Sequence, residues 1–415
     1  MKKALFLKRS RSFWLIFICW LVYSCSYIGK LSYNANINPI GEAFGVSYAD
    51  TGAVSTFFFF AYGIGQVING FLCKRYNIKY TIFVCLLTSA AANMALPFIT
   101  DFSIIKYVWL INGLSMSFLW TLIIRLLSLS LPKKEIPKAI VAMGTTVATG
   151  TFLVYGMSSL FVAVANYRIT FYVSAAIMLL SALLWLFSFN RLTKSEGNGE
   201  AEAALSEEKE KEGGSGGVGL LIATLAFFAV ANNFTKDGLT AWTPDVLSEI
   251  YTTPSWLSIL LTLLLPALAI FGAAVALRIY KLTRNFIGTC TLLFTGATLL
   301  FIAIIALIKN AAALPLTVFI FGLVSCLMAG VNNVITSMVP LHLKDKVSSG
   351  KLAGILNGFC YLGSTLSSYT LGIVADNFGW ISVFYLLFAL CIIVIILGTA
   401  YVIKECRDSK TRKNL

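Results

Sequence analysis

Apolar residues along this chain gather into twelve long runs separated by short polar stretches. The runs cover 13–36, 49–72, 80–98, 104–131, 139–163 and 168–190, then 218–242, 254–279, 286–308, 314–341, 352–375 and 380–403. A helix needs roughly 20 apolar residues to cross the hydrocarbon core of a bilayer, and each run supplies about that number. None shows the shorter, alternating pattern of a barrel strand. The pattern predicts an all-α membrane protein with twelve transmembrane helices, numbered helix 1 to helix 12 in chain order. The first run follows five basic residues, as a signal peptide would. It is too long for one and has no clean small-residue cleavage site, so it is read as helix 1.

One stretch breaks the rhythm. Residues 191–217 hold Glu196, Glu200, Glu202, Glu207, Glu208, Glu210 and Glu212 and end in Gly-Gly-Ser-Gly-Gly. This composition predicts a flexible, solvated cytoplasmic linker between an N-terminal six-helix half (1–190) and a C-terminal half (218–415). The halves echo each other. "SLPKKEIPKAIVAMGTTVATGT" joins helices 4 and 5, and "PLHLKDKVSSGKLAGILNGFCYLGS" joins helices 10 and 11. Lys30 is followed by Pro39 and Glu42, as Lys236 is by Pro244 and Glu249. Two six-helix repeats enclosing a midplane cavity form a transporter architecture.

Composition narrows the class. Hydrophobic residues make up 58% of the 415, and charged residues only 12%, about half the share in a soluble domain. This excludes a soluble enzyme, a disordered protein and a secreted disulfide scaffold. A single histidine, His342, argues against a multi-histidine metal centre and against histidine catalysis. The nine cysteines are an odd count without a CxxC pair, and Cys19, Cys85, Cys290, Cys326 and Cys391 fall in apolar runs as buried thiols would. No nucleotide fingerprint or P-loop occurs, which disfavours an ATP-driven pump, and no cofactor is expected. The net charge of +14 is spread over short loops on one side of the predicted helices. By the positive-inside bias it places both termini in the cytoplasm and is no sign of nucleic acid. Short loops suit a bacterial plasma-membrane protein, expected to be a monomer in the lipid bilayer.

Three cations fall within predicted spans: Lys30, Arg125 and Lys236. Each costs about 2.5–3.5 kcal/mol at the bilayer centre on insertion scales and needs a reason. Arg125 stands near the cytoplasmic end of helix 4, where snorkelling suffices. Lys30 and Lys236 stand at similar depth in equivalent helices, so two cations would face a shared cavity and favour an anionic substrate. Snorkelling to the outer interface is the competing explanation. Tyr23, Tyr27 and Lys30 share one helix face at i, i+4, i+7 spacing. So do Tyr62, Gln66 and Asn69 in helix 2, and Asn357, Tyr361 and Ser364 in helix 11. Asn232 and Thr240 flank Lys236 at four residues' distance. Such stripes line a solvated cavity or bind helices together. Asp237, beside Lys236, is a candidate for a structural ion pair or for proton coupling.

The loop "GFLCKRYNIK" after helix 2 resembles the helix 2–3 signature of the major facilitator superfamily, with Lys74 and Asn77 standing where that motif has Asp and Gly. "YSCSYIGKLSY", "ADTGAVSTFFFFAYGIGQVINGF", "FTKDGLTAWTPDVLSEI", the Trp120–Arg125 spacing, "GFCYLGS" and "NFGW" together resemble the organophosphate:phosphate antiporters of that superfamily, the group of the glycerol-3-phosphate and hexose-phosphate transporters. The resemblance implies the major facilitator fold. It also implies an anion site in which Lys30 and Lys236 replace two phosphate-binding arginines. Tyr23, Tyr27, Tyr62 and Tyr361 match tyrosines near that site. Gln66 stands where the glycerol-3-phosphate transporter has a lysine, Thr145 for a histidine in helix 5, and Asn233 for a tyrosine. Arginine grips phosphate with two bonds, whereas lysine is a hydrated point charge. The substrate expected is therefore a phosphate ester, inorganic phosphate or a carboxylate such as a sugar acid. The function implied is exchange of an organophosphate for phosphate by alternating access. A proton-coupled carrier using Asp237 and a non-transporting sugar-phosphate receptor are the alternatives.

Overall fold

A computed structural model describes residues 2–72, 75–132, 135–193, 218–343 and 349–413. The linker expected at 191–217 lies outside them beyond its first three residues, as do Lys74, Lys133, Lys134, Lys344 and Lys346. Among the described residues every regular element is helical. Eleven helices are long and apolar enough to cross a membrane: Arg11–Ala35, Tyr48–Asn69, Ile78–Phe98, Phe102–Ser130, Lys138–Val164, Arg168–Leu192, Gly219–Tyr251, Ser255–Thr283, Phe286–Lys309, Leu314–Met338 and Trp380–Glu405. Ser349–Phe378, 30 residues long, is helix 11 and completes the twelve. The protein is thus a twelve-helix, multi-pass membrane protein.

The helices depart from the simple runs where local chemistry intervenes. Helix 1 breaks at Asn36, and a separate helix, Ile37–Phe44, follows. Helix 7 does not stop near Trp242 but continues through Pro244 to Tyr251. Proline has no N–H to give the carbonyl of Thr240 and kinks a helix where it sits. Helix 10 carries a π-helical turn, Val334–Met338, before its last turn, Val339–His342.

The chain divides into two compact units. The first takes Met1–Asn36 and runs on from Phe57 through helix 6; the second takes Ile37–Thr56 together with helices 7 to 12. In the first, helix 1 packs on helices 5 and 6, and helix 3 along helix 6. In the second, helix 7 packs on helix 11, helix 8 on helix 10 and helix 9 along helix 12. The pairings 1 with 5 and 7 with 11, and 3 with 6 and 9 with 12, repeat one scheme. Glycine sets the register of the first pair in each unit. A Cβ on Gly150 would strike the carbonyl of Ser24, and one on Gly363 the carbonyl of Val230. Ser24 and Val230 each lie six residues before a lysine, Lys30 and Lys236. Small residues that let backbones approach are the usual means of packing helices in lipid, and here they give both lysines the same address.

Trp109, Trp185, Tyr155 and Phe171 fill the interior of the first unit, and Trp242, Phe228, Phe294, Phe321 and Phe384 that of the second. Leu180, Phe187, Leu299 and Ile396 point outward, an exposure that suits lipid and would be unfavourable in water.

Candidate functional site

Lys30 sits inside the first unit, with only 4% of its surface exposed. Its placement follows from a polar scaffold around the preceding residue. The carbonyl of Gly29 accepts from Asn93 Nδ2 at 3.1 Å and from Asn112 Nδ2 at 3.0 Å. Ser32 Oγ donates to Asn93 Oδ1 at 2.6 Å. A side chain on Gly29 would collide with Ser89 and Met178. Helix 1 is therefore pinned to helices 3 and 4 where it presents Lys30.

The ammonium meets aromatic faces. Its Nζ lies 4.8 Å from the ring centre of Tyr23, 4.4 Å from Tyr27 and 5.0 Å from Tyr62, and it donates to the Tyr62 hydroxyl at 3.4 Å. Gln66 Nε2 donates to that hydroxyl at 3.1 Å and to the carbonyl of Ser117 at 3.1 Å. Asn69 is one turn further on, with Nδ2 on Ser117 Oγ. Trp120 packs against Tyr23 with ring centres 5.0 Å apart. The structure thus gathers Tyr23, Tyr27, Tyr62 and Gln66 around Lys30. Cation–π contacts of this kind contribute about 0.5–2 kcal/mol each. They do not cancel the charge, and no carboxylate stands within ion-pair distance of Lys30 among the described residues.

Thr145 is placed apart. It marks the break between the helical segments Ile136–Gly144 and Thr146–Val164 of helix 5. Its hydroxyl accepts from Trp20 Nε1 at 2.9 Å and donates to the carbonyl of Ala142. Trp20 precedes Lys30 by ten residues, about 15 Å along a helix.

In the second unit Lys236 is a quarter exposed and pairs with Asp237, Nζ to Oδ1 3.2 Å. The other carboxylate oxygen accepts from Ser364 Oγ at 2.5 Å and Asn233 Nδ2 at 3.1 Å. Asn233 Nδ2 also reaches Ser364 Oγ, and Asn233 Oδ1 accepts from Asn232. Asp237 is thereby held as an acceptor of charge-assisted bonds, with Lys236 beside it. Tyr361 is half-buried on helix 11, three residues before Ser364. Sequence reasoning had no means to find Ser117, Asn93 and Asn112. They are ordinary polar residues in apolar runs, and only tertiary contact shows that Asn93 and Asn112 brace the lysine's helix and that Ser117 holds Gln66 and Asn69 of helix 2.

The profile of the Major Facilitator Superfamily matches residues 19–349. The chain belongs to the major facilitator superfamily. Membership makes it a membrane transport protein and not an enzyme. Two curated relatives carry the name "Membrane sensor protein UhpC". The one from Escherichia coli K12 is 27% identical over 94 residues, 23% of this chain and 21% of the relative. The one from Salmonella typhimurium LT2 is 25% identical over 99 residues, 24% of this chain and 22% of the relative. The matched segment thus spans about a fifth of each relative's length. Among solved structures, a bacterial homologue of the human lysosomal transporter Spinster in an inward-facing, unoccupied conformation is similar. Its TM-score is 0.74 at 15% identity, covering 94% of this chain and 96% of that one. The xylose transporter XylE from E. coli gives 0.71 at 12% identity, covering 95% and 98%. At these identities the likeness is one of fold.

Proposed function

We propose that this protein is a secondary active transporter of a small organic anion, an organophosphate exchanged for inorganic phosphate by alternating access. The observation that carries the reading is Lys30: a cation in a buried tyrosine box with no carboxylate at ion-pair distance among the described residues. The tyrosine faces offset the desolvation of this ammonium but leave it without a counter-charge, which an incoming anion supplies. Each half presents its lysine to the substrate during transport, Lys30 with Tyr23, Tyr27, Tyr62 and Gln66, and Lys236 with Asn233 and Tyr361. Thr145 shapes the path on the cytoplasmic side. The protein works as a monomer in the plasma membrane with both termini in the cytoplasm. Exchange is obligatory, because an empty site leaves the lysine charge uncompensated.

The test is phosphate exchange in proteoliposomes preloaded with phosphate, competed with phosphate esters and carboxylates. Rapid exchange, abolished by Lys30→Ala and by Lys236→Ala, supports the reading. Net uniport at the rate of exchange would sink it. The curated relatives are named membrane sensor proteins, which favours a second reading, a receptor, with a sugar phosphate as the ligand that the sequence resemblance implies. That reading expects ligand binding, lost in the same two variants, with no flux.

A further inference from the structure

A cavity of about 500 Å³ lies wholly within the second unit. It stands where helix 7 ends and helix 11 ends, the outer end in the orientation proposed above. The helix Ile37–Phe44 and the first turns of helix 2 close it against the ends of helices 7 and 11. Several bonds fasten them there. The backbone N–H groups of Tyr48 and Ala49 donate to the two oxygens of Asp376 at 2.9 and 2.7 Å. Tyr48 Oη donates to Glu249 Oε2 at 2.6 Å, which also accepts from Trp380 Nε1 at 2.8 Å. Thr56 Oγ1 donates to the carbonyl of Thr365 at 2.9 Å.

Asp376 and Glu249 are thus supplied with donors, but Asp245 is supplied on one oxygen only. It is 2% exposed, and Asn38, 7% exposed, donates its Nδ2 to Asp245 Oδ1 at 3.2 Å. The other oxygen of each side chain, Asp245 Oδ2 and Asn38 Oδ1, is buried without a hydrogen-bond partner. Glu42 comes from the short helix, Tyr48 from helix 2, Glu249 from helix 7 and Asp376 from helix 11, and all line the same cavity. Among the described residues no lysine, arginine or histidine does. A buried acceptor left unmade costs about 1–3 kcal/mol, and here two such oxygens belong to one bonded pair. A single proton on Asp245 Oδ2, donated to Asn38 Oδ1, would satisfy both and close a cyclic acid–amide pair.

We propose that Asp245 is a proton-binding site, and that the outer end closes with Asp245 protonated against Asn38 and opens when it gives that proton to external water. The closed form holds one proton more than the open form, so raising the external pH favours opening. This inference goes beyond the anion site and needs no substrate for its test.

Hydrogen–deuterium exchange of the full-length protein in lipid nanodiscs, corrected for intrinsic rates, reads the closure through peptides of residues 37–56. Protection in the unsubstituted protein falls about tenfold or more between about pH 5.5 and about pH 8. Asp245→Asn, whose amide donates and accepts as the protonated acid does, stays protected at both values. Asp245→Ser, a smaller neutral side chain, loses the pH response even where it folds less stably. Protection that ignores pH in the unsubstituted protein, or a pH response that survives in both variants, overturns the proposal. So does protection restored at the higher pH by sodium or calcium ions, which would make the two oxygens ligands of a metal cation.

Discussion

Replacing Lys30 with methionine separates a binding cation from a structural one. Methionine is unbranched and only one atom shorter, so it fills most of the space between Tyr23, Tyr27 and Tyr62 while removing the charge. In the empty protein the ammonium gains three aromatic contacts of about 0.5–2 kcal/mol each. It also bears a desolvation cost of several kcal/mol. The two nearly cancel, so the melting midpoint of empty Lys30→Met does not fall. The anion response is different. Deleting one member of a buried charge pair costs about 2–5 kcal/mol, at least about 30-fold in affinity. At a phosphate-ester concentration 100 times the dissociation constant, the unsubstituted protein gains about 2.7 kcal/mol. The variant at the same concentration gains about 0.9 kcal/mol or less, a third of the stabilisation. Thermal unfolding in detergent, with and without a panel of phosphate esters, measures both numbers. An unchanged ligand shift would refute the binding role, and a large fall in the empty midpoint would make Lys30 a structural residue.

Four further outcomes are expected. Tyr62→Phe removes the hydroxyl that accepts from both Lys30 and Gln66, and raises the apparent Km for exchange about tenfold, a loss near 1.4 kcal/mol. Asp237→Asn frees Lys236 from its ion pair; exchange persists with an apparent anion affinity equal or higher, and abolished transport would instead make Asp237 the coupling residue. Lys30→Arg with Lys236→Arg shifts competition toward phosphate esters and away from carboxylates, because a guanidinium engages phosphate with two bonds; an unaltered competitor ranking in proteoliposomes would count against lysine as the specificity determinant. Gly363→Leu, forced against Val230, lowers the unfolding midpoint by an amount equivalent to about 1–3 kcal/mol or more, as does Gly150→Leu against Ser24.

Much of this was legible because lipid simplifies the code. A charge within an apolar run is conspicuous, so Lys30, Arg125 and Lys236 announced themselves, and the spacing of Tyr23 and Tyr27 set them on the lysine's face. Tyr62 and Gln66 could be placed on one face of helix 2, but not against Lys30, since no periodicity reports which helices touch. Helix continuity through Pro244 was hidden, because proline reads as an end signal and tertiary packing decided otherwise. Asp245 was invisible for a related reason. A carboxylate near a helix end looks like a solvated charge, and its partner Asn38 is 207 positions away in the chain. Pro39, Glu42, Pro244 and Glu249 were legible as marks of an internal repeat, but not as parts or neighbours of one cavity.

The π-helical turn at Val334–Met338 has a consequence for how this chain tolerates insertion and deletion. A π turn is an α-helix holding one surplus residue. Removing Thr336 lets that turn relax to ordinary α geometry, with Leu314–Asn333 before it and Val339–His342 after it keeping their faces. Removing Val324 from the α-helical body instead rotates everything beyond it by about 100° and carries Asn332 and Asn333 away from their neighbours. A single-residue deletion scan of helix 10 should therefore yield folded, membrane-inserted protein in a narrow window around Thr336 and fail on either side. That window would show the surplus residue to be dispensable for assembly, leaving selection free to keep or lose it according to how the helix must bend.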